Sequence, residues 1–387
     1  MTEPSVAVGK NARRTELFVA ALWVIAVVVA TVQQGITHQN NNFLIFRAAS
    51  IHLLHAQDLY AAYPALHFDF YKYSPTFALL FLPFAVLPLA LSMLAWNALN
   101  AGVLWFALGS ILPKRAATIA RGTVFLDMLG SLQNVQSNAL VAGLIIMTFA
   151  AYERRHTVLG SLAANVGAVI KVFPLAGVSF AIFHPRKLRV AIAVFLGMVL
   201  MLLLPLLVTS PDQLLAQYAS WRAIESKDAL DRGFTVMQMI EIALRQNWPN
   251  WPQQLAGTLL LVAPVLVRRE RWPEWSFRLT YLASVLVYCV IFNHQSESPT
   301  FVIGVAGAAI WFAALDRWTR GQWALFAFVV VGTILASSDV MPKSIQRSVF
   351  DAYHAKTIPC IVLWVVMQVS LWRGSGLTNV PGTQYNP

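Results

Sequence analysis

Two aspartates, Asp58 and Asp69, lie in a wet, aromatic stretch that runs from Asn40 to Pro88 between two apolar runs. A carboxylate beside a reacting hydroxyl can take its proton, so either residue suits general-base chemistry. The structural alternatives are that Asp58 ends a helix and that Asp69 pairs with Lys72. Arg47, Lys72, Arg222 and Arg232 are cations near the same apolar boundaries and can hold a phosphate leaving group. Otherwise they snorkel to headgroups. Gln133, Asn134, Gln136 and Asn138 make an amide cluster in SLQNVQSN, suited to polyol hydroxyls or to capping a helix turn. His294 and Glu297 in FNHQSESP could share one helical turn and bind an acceptor or, more weakly, a metal. His52, His55 and His67 have no metal-site spacing and read as surface or headgroup contacts. Lys171 in NVGAVIKVFPLAGVSF stands apart, because an ionisable residue among apolar neighbours at membrane depth is costly and points to function.

The elements that must position these residues follow from composition. The chain has 387 residues, 58% of them hydrophobic and 12% charged, with a mean hydropathy of +0.61. Soluble domains carry about 25% charged residues, so a polytopic, all-α membrane protein is expected. The net charge of +11 does not indicate nucleic acid, since the basic residues cluster beside apolar runs as topology determinants. Cys289 and Cys360 fall in or beside apolar runs and read as core residues. No metal and no cofactor is expected.

Asn41 or Asn42 is expected to cap a helix whose buried stripe is Phe43, Phe46, Ser50 and Leu53, with Gln57 and Asp58 closing it. If every basic cluster faces the cytoplasm, about ten full spans plus half-helices result. The N-terminus, residues 1–15, lies inside. Residues 16–373 form one membrane domain with outer loops at 37–74 and 209–251, and 374–387 are a disordered cytoplasmic tail. Residues 75–112 hold a short piece broken at Pro88 and one span. Residues 157–183 must begin and end inside, as a hairpin of two half-length helices with Lys171 near its apex.

Four segments carry a resemblance. DLY at 58–60, YKYSPTFALLFLPFAVLP at 71–88, LQNVQSNALVAGLI at 132–145 and AANVGAVIKVFP at 163–174 occur in that order. Together they resemble the polyprenyl-phosphate-sugar-dependent glycosyltransferases of family 87, which include bacterial mannosyltransferases. The resemblance extends from about residue 15 to 315 and implies a GT-C fold in a bacterial inner membrane. It also implies sugar transfer at the outer face, from a polyprenyl-phosphate sugar to a lipid or glycan acceptor, without a nucleotide sugar. Many members carry an Asp-Phe pair just after the first span. Here that pair is Asn42-Phe43, and an amide cannot act as a base, so either Asp58 or Asp69 has that task or the chain is not a standard transferase. On this reading Lys171, Arg47 and Lys72 bind the donor phosphate, and Asn42, Tyr73, Gln133, Asn134, His294 and Glu297 bind substrate. A flippase, or a non-catalytic binder of lipid-linked saccharide, is the alternative; the flippase predicts polar residues at the midplane of several spans.

Overall fold

The computed structural model describes residues 4–38, 40–228, 232–336 and 341–374. The expected tail beyond residue 374 lies outside them. Helices dominate: α1 (Pro4–Thr37), α2 (Asn41–Leu54), α3 (Pro75–Ala85), α4 (Leu89–Ile111), α5 (Lys114–Gln133), α6 (Asn138–Glu153), α7 (Thr157–Ile170) and α8 (Lys187–Leu203). The second half adds α9 (Pro211–Asp228), α10 (Val236–Leu244), α11 (Asn250–Val267), α12 (Trp275–Ile291), α13 (Phe301–Ala313), α14 (Arg320–Val329), the single turn α15 (Lys343–Ile345) and α16 (Thr357–Arg373). Among the described residues the only extended pairing recorded is the isolated bridge between Gly233 and Ser296.

Three helical stretches, Ala12–Thr37, Leu89–Ile111 and Lys187–Leu207, are long and apolar enough to cross a membrane. Their outward faces carry Ile25, Val29, Phe106, Phe195 and Leu200, all exposed, as surfaces solvated by lipid do. The remaining apolar helices are shorter, where full spans had been expected. The physical reason is that polar turns and prolines cut the apolar runs. Pro88 separates α3 from α4, and the polar turn at 134–137 separates α5 from α6.

The core is the packing of α12 on α13, α13 on α5, and α4 on α6. A side chain at Gly307 would put its Cβ 2.5 Å from the Ala283 carbonyl oxygen, so glycine permits the close approach of α12 and α13.

The segment 157–183 doubles back as expected. Thr157 Oγ1 and His184 Nε2 are 3.4 Å apart, so its two ends meet. Pro174 lies against Gly167, where a Cβ would come within 2.9 Å of the proline ring. The second arm, Phe173–Phe183, is a 3-10 helix rather than the expected α-helix. At about 2.0 Å per residue against about 1.5 Å in α7, its 11 residues match the height of the 14 in α7. The turn falls at Lys171, whose backbone is extended, three residues before the proline.

Candidate functional site

A cavity of about 480 Å³ opens at the end of the bundle where α2, the α5–α6 turn, the Lys171 turn and the 293–300 loop converge. Its walls are built from the sequence as follows. In α2, Phe43, Phe46, Ser50 and Leu53 are all buried. Phe46 meets Tyr73, Phe77 and Phe81 edge-on or nearly so, at ring distances of 4.9, 5.2 and 5.4 Å, and such pairs add about 0.5–1.5 kcal/mol each beyond burial. The stripe behaves as expected, but the cap does not. Asn40 occupies the N-cap position without a side-chain capping bond, its amide reaching Met93 Sδ instead. Asn41 Oδ1 instead accepts from the Phe68 amide, and Asn42 Nδ2 donates to the Asn134 carbonyl at 2.8 Å. The helix stops at Leu54, before Gln57 and Asp58, as Ala56 turns to a φ of +56°.

The YKYSP motif joins this wall to the Lys171 turn. Tyr71 is buried and its hydroxyl donates to the Ser74 carbonyl at 2.8 Å. Ser74 caps α3 by accepting from Phe77 N–H, and its own hydroxyl donates to Val169 O at 2.5 Å. The entry to α3 is thereby tied to the last turn before Lys171.

From Lys171 a chain of side chains crosses the cavity wall. Lys171 Nζ donates to Asn138 Oδ1 at 2.6 Å, and Asn138 Nδ2 donates to Gln136 Oε1. Gln136 Nε2 then donates to Glu297 Oε2 at 2.6 Å. An ammonium and a carboxylate are thus linked by two amides, each of which uses both its donor and its acceptor. The turn that presents them is strained. Val135 is β-branched at a φ of +50° and fully buried, with the Trp96 indole donating to its carbonyl.

Asp69, Lys72 and Tyr73 also line the cavity. Asp69 Oδ2 is 3.8 Å from Lys72 Nζ, and its other oxygen accepts from the Phe70 amide. Helix α9 closes the same side. Its Trp221 indole nitrogen lies 3.2 Å from both the Lys72 carbonyl and Glu225 Oε1, and Glu225 lines the cavity too.

The other expected site residues divide between the cavity and places outside it. Asp58 is exposed outside the cavity; it accepts from its own Tyr60 amide and from Ser220 of α9, which makes it part of the joint between loop and helix. Arg47 sits half-buried on α2 and does not line the cavity. Gln133 donates to Gln33 of α1, and Asn134 closes α5 through Gly130 O; the inward amides are Gln136 and Asn138, because the left-handed Val135 reverses the facing. His294 and Glu297 both line the cavity, but on a turn and not on a shared helical turn. Arg232 is committed to Glu241, Asn247 and the Trp248 carbonyl, which corrects its expected phosphate role. His52 and His67 are buried around Tyr63 rather than at the surface, with His52 and Tyr63 ring centroids 3.9 Å apart.

The sequence reading also missed Glu225 and the buried pair Asp127–Lys356. The signal for Asp127 was present: an acidic residue inside the apolar run VFLDMLG falls under the same argument as Lys171.

A comparison with curated proteins finds no match. At the family level, residues 70–342 match glycosyltransferase family 87. That region contains the YKYSP entry, the amide turn, Lys171 and the 293–300 loop, and covers more than two thirds of the chain. This membrane protein belongs to glycosyltransferase family 87.

Proposed function

We propose that the chain transfers a sugar, mannose being the first to test, from a polyprenyl-phosphate donor to a lipid or glycan acceptor at the outer face of a bacterial inner membrane. The observation that carries this reading is the Lys171–Asn138–Gln136–Glu297 chain in the cavity wall of a family 87 member. In this reading Lys171 and Lys72 receive the donor phosphate. The acceptor hydroxyl attacks the anomeric carbon and its proton passes to Asp69. The bond from that carbon to the phosphate oxygen breaks, and its electron pair leaves with the polyprenyl phosphate, whose growing charge the two ammonium groups stabilise. Asn42, Tyr73, Gln136, His294 and Glu297 bind hydroxyls. Of the two expected bases, Asp69 is favoured over Asp58 because only Asp69 lines the cavity. The same reading takes residues 16–373 as one GT-C-like domain crossing about ten times, with the shorter apolar helices counted as crossings.

The test is turnover by purified protein in lipid. Undecaprenyl-phosphate mannose, glucose and arabinose serve as labelled donors, and octyl glycosides as acceptor probes. A labelled octyl disaccharide from one donor supports transfer. Movement of intact donor between leaflets without product would replace this reading with a flippase.

A further inference from the structure

Lys356, just before α16, and Asp127, in the middle of α5, face each other with side chains 2% and 3% exposed. Their closest approach is 3.5 Å, long for a charge-assisted bond. The shorter contacts of the ammonium are to Ser298, whose hydroxyl and carbonyl oxygens accept at 3.0 and 3.1 Å. It also lies 4.6 Å over the Phe301 ring. Stability does not account for this arrangement. A buried pair is often no better than apolar residues of similar volume, and a cation at the start of α13 opposes the helix dipole. The contacts reach a useful place, since Ser298 directly follows Glu297. On the other side of Glu297, Ser296 Oγ donates to Val290 O at 2.7 Å, and Ser296 O accepts from Phe234 N–H at 2.8 Å. The carboxylate is therefore held on both flanks while its own oxygen meets Gln136.

We infer that Asp127 and Lys356 are positioning residues that fix the 296–300 loop from behind and so aim the Glu297 carboxylate at a hydroxylated acceptor. The inference rests on the transferase reading above. Asp127 holds the ammonium in place, and the ammonium holds Ser298.

The test uses the Asp127→Leu/Lys356→Met double variant of the full chain in lipid. It removes both charges together and so avoids stranding either one. With octyl mannoside as the acceptor probe, its KM should rise about tenfold, the size of losing one charge-assisted bond, with donor KM within twofold. The same change made in a Glu297→Gln background should add less than twofold, because residues acting through one another are not additive. An unchanged acceptor KM, an equal rise in donor KM, or full additivity would overturn the positioning role. If the wild-type protein makes no glycoside from any donor, the transferase reading fails on its own account. Hydrogen exchange of the amides of 296–298 and 300 then decides the positioning role: faster exchange confined to that loop in the double variant supports it, and unchanged exchange refutes it.

Discussion

Replacing Lys171 with methionine keeps most of the side-chain volume and removes the charge. Lys171 Nζ makes a 2.6 Å bond to Asn138 Oδ1 and borders the cavity, so an incoming phosphate would take a similar charge-assisted contact. Such a bond is worth about 1.5–3 kcal/mol, and each ~1.4 kcal/mol is a factor of ten. Donor affinity should therefore fall about ten- to hundredfold. Stability responds through two opposing effects. Asn138, fully buried, loses a donor to its carbonyl, at a cost of about 1–3 kcal/mol; in return, an ammonium no longer has to be kept in apolar surroundings. The melting temperature should thus stay near that of the wild type. Quenching of tryptophan fluorescence on titration with undecaprenyl phosphate in nanodiscs reads the affinity, because Trp221 lines the cavity. Lys171→Arg keeps the charge and should retain most of the binding. A folded Lys171→Met protein that binds within twofold of wild type would refute the clamp.

Asp69→Asn should lower turnover by about 10²–10⁴, the usual contribution of a positioned base, while Asp58→Asn stays within a few-fold of wild type; initial rates of the two variants side by side check this. Single cysteines at Gln57 and Asn134, both exposed, should react with an impermeant maleimide from outside intact cells, and labelling only after permeabilisation would reverse the topology. Burial, then His67 and His55, lowers the affinity of the His52 imidazole for protons below its usual value. The folded loop therefore disfavours the charged form: the stability is full above about pH 6.5 and is lost as pH falls below it towards the folded value. Thermal unfolding between pH 8 and 5 should show this slope, and His52→Phe, which keeps a ring against Tyr63, should flatten it.

Periodicity and charge made much of the molecule legible before its structure. The α2 stripe, the break at Pro88, the α5–α6 turn and the doubled segment 157–183 all follow from local rules about apolar spacing, proline and polar turns. What escaped depended on backbone turns and on distant partners. One left-handed residue, Val135, decides that Gln136 lines the cavity and Asn138 backs it, while Gln133 and Asn134 turn elsewhere. Asp58 and Asp69 look equivalent in sequence, yet α9 docks on the first and leaves the second at the cavity. Nor does any local pattern join Asp127 to Lys356, 229 positions later.

The 3-10 arm has a consequence for traffic through the bundle. From the Lys171 turn it leads down to Phe180 and Phe183, which lock edge-on into Phe149, Tyr281 and Trp272, at ring distances of 5.3–5.9 Å. Beneath them Glu153 and Arg278 form a bonded pair at 2.9 Å, with Arg278 1% exposed. On this side the cavity is thus closed by packed rings. A headgroup that reaches Lys171 would have to part four ring contacts, at about 0.5–1.5 kcal/mol each, and a buried ion pair before it could continue. In the proposed transfer, loaded donor and spent carrier would therefore both pass on the cavity side of these rings.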